Sequence, residues 1–358
     1  MRSWKYLLGF NVPLMVFLAL YLPDGWSFLG LAYAFGLVPL LEVLLPISPA
    51  NLSTIEEEAA RKDPFFDALL YANVPIQWGL MGYFLYLVGF GNLSTLEWVG
   101  KTLSMGVACG ALGINVAHEL GHRVKSLDRA LSKTLLASTF YMHFIIEHNL
   151  GHHRHVSTDD DPASAERGVT LYQFLPRSVW GGYRSAWHLE RERLAAKGLN
   201  FWSPDNEMIR FTLIQAALML AVVLIAGIPA LLSFLLASAV GIGLLETVNY
   251  IEHYGLRREK KTSGRYERVM PHHSWNSSHP YGRLMLYELT RHSDHHYLAS
   301  RPYQILRHFE DAPQMPAGYP AMVLLATVPP LWFSVMNPRV DRVMAGLQES
   351  SSSDMQPA

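Results

Sequence analysis

Six apolar segments, each close to the length of a membrane-spanning helix, set the strongest limit on what this chain can fold into. A helix needs roughly 20 mostly apolar residues to cross the hydrocarbon core of a bilayer. The apolar segments cover residues 6–22, 28–45, 66–90, 98–118, 208–225 and 230–250. The sequence therefore predicts an all-α integral membrane protein with six transmembrane helices.

The composition agrees with a membrane protein that also has a sizeable polar part. Hydrophobic residues make up 50% of the chain and charged residues 16%, whereas soluble domains have about 25% charged residues. The mean hydropathy of +0.12 is low for a chain buried in lipid throughout, so a polar region must accompany the spans. The net charge of −1 argues against electrostatic binding of nucleic acid. The single cysteine, Cys109, excludes a disulfide framework and an iron–sulfur cluster bound by this chain.

The distribution of Lys and Arg predicts the orientation of the spans. The loops at 23–27, 91–96 and 226–229 contain neither residue. The opposite flanks carry Arg2, Lys5, Arg61, Lys62, Arg123, Lys125, Arg129, Lys133, Arg257, Arg258, Lys260 and Lys261. Because basic flanks stay in the cytoplasm, we expect both termini on the cytoplasmic side.

The remaining segments complete the predicted organisation. Residues 48–63 are polar and acidic and suggest a loop, whereas 131–148 suggest a helix buried in the cytoplasmic cap or dipping toward the membrane. Pro176 can open an amphipathic helix at its first position, and 319–335 are typical of an interfacial or re-entrant element. We expect one membrane-embedded domain over residues 1–343, followed by a disordered, serine-rich tail over 344–358.

Nine histidines occur in four tight groups at the predicted cytoplasmic ends of the spans. They are His118 and His122, then His148, His152 and His153, then His253, and finally His292, His295 and His296. Residues three to five apart lie on or beside one face of a helix, so each group can converge on one point. Neutral imidazole is the commonest metal ligand. Nine imidazoles overfill one site, so the sequence predicts a histidine-rich cap that binds two metal ions.

The residues alone leave the chemistry of this cap open. Imidazole ligands suit iron, zinc, copper and manganese, and ligand type cannot decide between them. His118-Glu119-Leu-Gly-His122 also matches the zinc-protease motif, with Glu119 as general base. Two ions with nine ligands would keep open positions, as oxygen activation requires. Acidic neighbours that could accept hydrogen bonds from the ligand rings are Glu119, Asp159, Asp160, Asp161, Glu252 and Asp294.

Four stretches resemble the histidine motifs of the membrane-bound alkane 1-monooxygenases. These stretches are HELGHR at 118–123, EHNLGHHRHVSTDDDPASA at 147–165, NYIEHYGL at 249–256 and LTRHSDHHYLASRPYQ at 289–304. The histidine boxes are shared with integral-membrane desaturases, fatty-acid hydroxylases and xylene monooxygenases. NYIEHYGL, PHHSWNSSH at 271–279 and RHSDHH at 291–296 are more similar to the alkane enzymes.

This resemblance implies a function and a set of ligands. It implies a centre of two non-haem iron ions held by the nine histidines, with His143, His155, His188, His272, His273, His279 and His308 not ligands. The reaction implied is O2-dependent terminal hydroxylation of a linear alkane to a primary alcohol. Electrons would come from rubredoxin and its NAD(P)H-dependent reductase, and the location would be the bacterial inner (plasma) membrane.

Three alternatives remain at the level of sequence. The first is a related membrane di-iron enzyme, either a desaturase or a hydroxylase of aromatic methyl groups or acyl chains. The second is an intramembrane HExxH zinc protease, which predicts one zinc ion and no need for His292–His296. The third is a metal transporter, which predicts charges at mid-membrane depth, whereas Lys101, Glu97 and Glu246 lie near span ends.

Overall fold

The computed structural model of the chain describes residues 3–353, with side chains for residues 3–347. Within that range the regular structure is helical, apart from two isolated β-bridges. The first helices are α1 (Ser3–Tyr21), α2 (Asp24–Leu44), α3 (Thr54–Lys62), α4 (Phe65–Phe90), α5 (Thr95–Gly121) and α6 (Ser126–Ala137). Next come α7 (Phe144–Glu147, continued by His148–His152 and His153–His155), α8 (Leu171–Ala196) and α9 (Glu207–His253). The last are α10 (Pro280–Met285), α11 (His292–Tyr297), α12 (Tyr319–Ala326) and α13 (Pro329–Ser353).

Four of these helices, α1, α2, α5 and α9, are long and apolar enough to cross a membrane. α4 has 26 residues but does not reach that apolarity, because Asn73, Pro75 and Gln77 lower its mean hydropathy. α12 and the following Pro329–Leu347 segment are long and apolar enough to cross a membrane only when taken together, and a bend of 120° separates them. Such a bend fits the re-entrant element predicted for 319–335, and counting it gives up to five spans.

Helix α9 contains two of the predicted spans. It has 47 residues, a length of about 70 Å, whereas the hydrocarbon core is about 30 Å thick. Its backbone breaks at Gly227, with φ 84° and ψ 174°, a conformation that is essentially restricted to glycine. The break falls in the expected turn at 226–229. The helical fold and the histidine cluster are thus confirmed, while the count of six spans and the orientation stay predictions.

Lys101 shows how a charge is accommodated within these apolar helices. Its side chain on α5 is 3% exposed, and its ammonium group donates to the backbone carbonyls of Ala19, Leu20 and Leu22 at 3.2, 2.7 and 2.9 Å. Carbonyls at a helix end have no partner within the helix. Lys101 therefore caps the end of α1 and fixes the turn into α2.

Three expectations about the segments between the spans were wrong. Residues 131–148 do not form one helix, because α6 ends at Ala137 and α7 begins only at Phe144. Residues 48–63 do not form a loop throughout, because α3 covers most of them and begins with a capping box between Ser53 and Glu56. Helix α8 does not begin at Pro176 but at Leu171, where Thr170 and Gln173 form another capping box. Both capping boxes are visible in the sequence as a Ser or Thr followed three residues later by Glu or Gln.

The structure describes only part of the predicted tail. The segment 344–358 begins inside α13, whose backbone continues to Ser353. The last residues of the predicted tail, 354–358, lie outside the described residues. Disorder of this segment stays a prediction.

Candidate metal centre

Two helices change their winding where they carry histidines. In α5 a π-helical turn over Cys109–Ile114 precedes the segment with His118 and His122. In α7 a π-helical turn spans His148–His152. A π turn adds one residue to a helical turn and occurs frequently at functional sites. Here the altered winding sets the directions in which the following imidazoles point.

The nine predicted histidines come together in two adjacent groups. His118, His122, His148, His153 and His295 form a five-membered group, and His152, His253, His292 and His296 form a four-membered group. Within each group one ring nitrogen from every member lies within 4.8 Å of the others. Adjacent residues in the chain are divided between the groups, since α7 and α11 each contribute to both.

The ring nitrogens are arranged as ligands around a common point. The Nε2 atom of His153 lies 3.0 Å from that of His148 and 3.1 Å from that of His295. The Nε2 atoms of His292 and His253 are 3.2 Å apart. With metal–nitrogen bonds of about 2.1 Å, two nitrogens that share an ion lie about 3 to 4 Å apart. Each group therefore has the size of a site for one ion.

Unpartnered nitrogens support the same conclusion. The Nε2 atoms of His118, His122, His152 and His296 are buried and have no hydrogen-bond partner among the described residues. Such an atom costs about 1–3 kcal/mol when it stays unsatisfied. Burial lowers the pKa of His148, His153, His292, His295 and His296 well below the usual value. These rings are therefore neutral and present the lone pair that a metal ion requires, so the residues fit metal ions.

Two of the six predicted acidic neighbours contact these histidines. Asp161 lies 2.9 Å from Nδ1 of His152 through Oδ2, which also accepts a hydrogen bond of 2.6 Å from Ser164. Glu252 lies 3.2 Å from Nε2 of His292, and its other oxygen accepts a hydrogen bond of 2.6 Å from the Tyr319 hydroxyl. Asp161 thus fixes the orientation of the His152 ring through the nitrogen opposite the unpartnered Nε2. Glu252 instead lies at the same nitrogen of His292 that faces His253.

The other four acidic residues lie elsewhere. Glu119 accepts hydrogen bonds from Arg123 and from the backbone N–H of Tyr303. Asp294 accepts the backbone N–H of Arg307 at 2.8 Å. Asp159 and Asp160 are exposed. The position of Glu119 is unsuited to the general base of a zinc protease, because its carboxylate is held by an arginine rather than directed at the histidines.

A third group of possible ligands, Glu267, His272 and His273, lies outside the nine. Nδ1 of His273 accepts the backbone N–H of Met270 at 3.0 Å, so the ring proton is on Nε2, 3.2 Å from Glu267. Both nitrogens of His273 are thus used in hydrogen bonds. Its backbone carbonyl accepts a hydrogen bond from the Ser157 hydroxyl at 2.9 Å. His273 is therefore held by its own hydrogen bonds and belongs to neither of the two groups.

The family was established by comparison with known proteins. Residues 95–326 match the model of the fatty acid desaturase family. The chain is 43% identical to alkane 1-monooxygenase 1 of Pseudomonas aeruginosa, over 90% of this chain and 85% of that protein. It is 41% identical to the alkane 1-monooxygenase of Acinetobacter baylyi, over 85% of this chain and 74% of that protein. The chain belongs to the alkane 1-monooxygenase family.

A more distant relative is the hydroxylase component of xylene/toluene monooxygenase from Pseudomonas putida. It is 29% identical over 94% of this chain and 88% of that protein. As a member of the alkane 1-monooxygenase family, the chain is an oxidoreductase, and its apolar helices make it an integral membrane protein. The resemblance predicted from the histidine motifs is confirmed.

An apolar cavity of about 120 Å³ leads to the histidines of this family member. His118, His148 and His292 lie at one end of the cavity, and apolar side chains from α2, α5, α9 and α12 form most of its wall. Tyr319 and Glu252 also line it. The cavity therefore adjoins both histidine groups and extends from them along the apolar parts of α5 and α9.

Several polar residues near the centre were missed or underrated by sequence reasoning. Tyr141, His143, Glu147, Ser178 and Glu246 line a second, smaller cavity beside His148 and His152. Burial lowers the pKa of His143 to about 4 and raises that of Glu147 to about 8. The sequence offered one signal, because an ionisable residue within an apolar span, here Glu246, is a candidate functional residue.

Proposed function

We propose that this chain uses O2 to hydroxylate the terminal carbon of linear alkanes, giving primary alcohols. The observation that carries the proposal is the convergence of nine imidazoles, in groups of five and four, at the end of an apolar cavity in a bundle of membrane helices. The reaction balances as RH + O2 + 2 e⁻ + 2 H⁺ → ROH + H2O. Membership of the alkane 1-monooxygenase family supports this reaction.

The metal ions proposed are two non-haem irons, one in each histidine group. When bound, they would activate O2 for the oxidation of a C–H bond, which amino-acid side chains cannot do. Asp161 orients one proposed ligand by holding Nδ1 of His152. Glu252, itself held by Tyr319, lies beside the Nε2 of His292 that faces the proposed ion site. We propose all nine histidines of the two groups as the ligands.

The substrate is positioned by shape, because an alkane offers no polar group to bind. Apolar walls of this cavity match that requirement, and burial of each CH2 group contributes about 0.8 kcal/mol. His118, His148 and His292 lie at one end of the cavity, so one end of a linear chain reaches the metal centre. We therefore expect oxidation at the terminal carbon rather than at inner carbons.

The electrons are proposed to come from rubredoxin, reduced by its NAD(P)H-dependent reductase. The single cysteine of this chain, Cys109, is buried in α5, so the chain supplies no cysteine cluster of its own. We propose six spans in a bacterial inner membrane. The basic flanks favour an orientation with both termini on the cytoplasmic side. A rubredoxin on that side would face the histidine cap.

A second candidate is hydroxylation of aromatic methyl groups, favoured by the similarity to a xylene/toluene monooxygenase component. A desaturase is the third, since the matching family model is that of fatty acid desaturases. These reactions differ in product. Supplying octane, xylene and acyl substrates to the same preparation separates them.

The decisive experiment uses the purified protein with octane, 18O2, NADH, rubredoxin and its reductase. Labelled 1-octanol as the main product is the expected result. A protein with His253→Ala serves as the control for oxidation by free metal. Unlabelled alcohol, mainly 2-octanol, or an alkene formed only from acyl substrates would contradict the proposal.

A further inference from the structure

A small polar cavity lies between helix α8 and the histidines of α7, since Ser178 and Gly182 line it together with His148 and His152. Its volume is about 10 Å³, which is the space that one water molecule needs. Its wall includes Tyr141, His143, Glu147, Ser178 and Glu246. The cavity is separate from the apolar one, and Asn249 lines both.

Two buried polar atoms at this cavity have no partner among the described residues. They are Oε1 of Glu147 and Nε2 of His143, whose side chains are 7% and 9% exposed. Leaving both unsatisfied would cost several kcal/mol, and a polar cavity of this size is the place where buried water is found. The geometry therefore indicates a water molecule in the cavity that these two side chains line.

Glu246 is held at the same cavity by three donors. Tyr141 donates to its Oε1 at 2.9 Å, while Ser178 and Asn249 donate to its Oε2. Glu246 lies seven residues from His253, and its hydrogen bonds join it to no proposed ligand. The other titratable groups that line the cavity are Tyr141, His143, Glu147, His148 and His152, with Asp161 beside His152.

The solvent lies one layer of residues away. An exposed groove of about 650 Å³, lined by Asp159, Asp160, Arg177 and His188 among others, shares Pro162 with the cavity. Gly181 packs directly on Pro162, since a Cβ at this glycine would lie 2.6 Å from the proline Cβ. Gly182, the next residue, lines the cavity itself. The polar cavity thus lies between a polar, solvent-exposed groove and the proposed metal centre.

We propose that this cavity is a hydrated proton route to the metal centre, with Glu246 as its relay carboxylate. The inference rests on the proposed function, in which each turnover consumes two protons together with two electrons from rubredoxin. Each proton leaves a solvent water in the groove, passes to the cavity water and Glu246, and ends in the water molecule formed from the second oxygen atom of O2. The apolar cavity cannot serve this purpose, because it must stay dry for the alkane.

The first test replaces Glu246 by Gln, which keeps the size and the hydrogen bonds from Tyr141, Ser178 and Asn249 partly intact. The expected result is a loss of about 100-fold in octanol formation, the range of a general acid or base. Iron content and octane affinity should stay unchanged, and the solvent deuterium isotope effect on octanol formation should rise. A variant with unchanged rate and isotope effect would overturn the role of Glu246.

The second test fills the cavity without removing a titratable group. A Cβ at Gly182 would meet only Glu147 Cγ at 3.7 Å and Cδ at 4.0 Å, so Gly182→Ala fits but takes space from the water. Gly243→Ala is the matched control, since a Cβ there meets nothing within 4 Å. We expect a slower reaction with a larger solvent isotope effect in Gly182→Ala alone.

The third measurement does not depend on activity. A cryo-EM map of the wild-type protein should show water density between Glu147 and His143, and the Gly182→Ala map should show less. A dry cavity in the wild type would overturn the proposal. Failure of the wild type to form any alcohol would instead contradict the proposed function, and would leave the water density as an independent result.

Discussion

His253 differs from the other proposed ligands, because it occurs alone in the chain rather than in a paired motif. It is fully buried, and its Nε2 lies 3.2 Å from that of His292. We expect His253→Ala to lower bound iron and octanol formation by about 100-fold, since loss of a ligand exceeds the usual effect of its supporting residues. His188→Ala is the control, as His188 is exposed on α8 and pairs with Glu192. Full iron content in His253→Ala would remove this residue from the site.

Asp161 and Asp160 provide a matched pair of adjacent carboxylates. Asp161 holds Nδ1 of His152 at 2.9 Å, whereas Asp160 is exposed and 4.0 Å from His155. We expect Asp161→Asn to weaken iron binding by about 10–100-fold, measured by competition with a chelator. Asp160→Asn should bind iron as the wild type does. Equal affinity in both variants would show that Asp161 does not act through His152.

At this scale the sequence predicted which histidines meet but not which carboxylates support them. Spacing along a helix is local and brings His118 near His122, whatever the rest of the fold does. Whether Asp159, Asp160 or Asp161 reaches a histidine depends on the turn between α7 and α8. An irregular turn has no helical periodicity from which side-chain directions could be predicted. Tyr319 reaches Glu252 from 67 residues away, and no local pattern could indicate that contact.

Among the helices, α9 is divided into two arms by a single residue, Gly227. Gly227 has φ 84° and ψ 174°, so Gly227→Ala should destabilise the protein by about 1–3 kcal/mol. Thermal unfolding of the detergent-solubilised protein measures the effect as a lowered midpoint. Gly243→Ala, in the helical second arm of α9, should be neutral or stabilising. An unchanged midpoint in Gly227→Ala would mean that the break is not required.

The apolar helices were predictable almost to their ends, because lipid forces long apolar runs into helices. The predicted segment 66–90 corresponds to α4 (Phe65–Phe90), and 98–118 falls within α5 (Thr95–Gly121). The π turns at Cys109–Ile114 and His148–His152 were not predictable. Their extra residue is accommodated by tertiary packing, and the sequence contains no Pro or Gly pattern that marks them uniquely.

For the whole molecule, the proposed orientation can be tested with single cysteines, because Cys109 is buried. Gly25 and Lys261 are exposed and lie on opposite sides of the membrane in the proposed arrangement. We expect Gly25→Cys to react with a membrane-impermeant maleimide in intact spheroplasts, and Lys261→Cys to react only after lysis. Labelling of both in intact cells would contradict the predicted topology.

The division of neighbouring histidines between the two groups has a consequence for how the protein acquires its metal. His152 and His153 belong to different groups, as do His295 and His296, so an ion in one group fixes the backbone that carries ligands for the other. Binding of the first ion thus orders backbone that carries ligands for the second, so the second ion binds more tightly. This is positive cooperativity. Titration of the metal-free protein with iron, followed by native mass spectrometry, should show chains with two irons or none, whereas a large fraction of chains with a single iron would contradict this expectation. Scarcity of iron in the cell would then reduce the number of fully loaded chains and leave each loaded chain with its full activity.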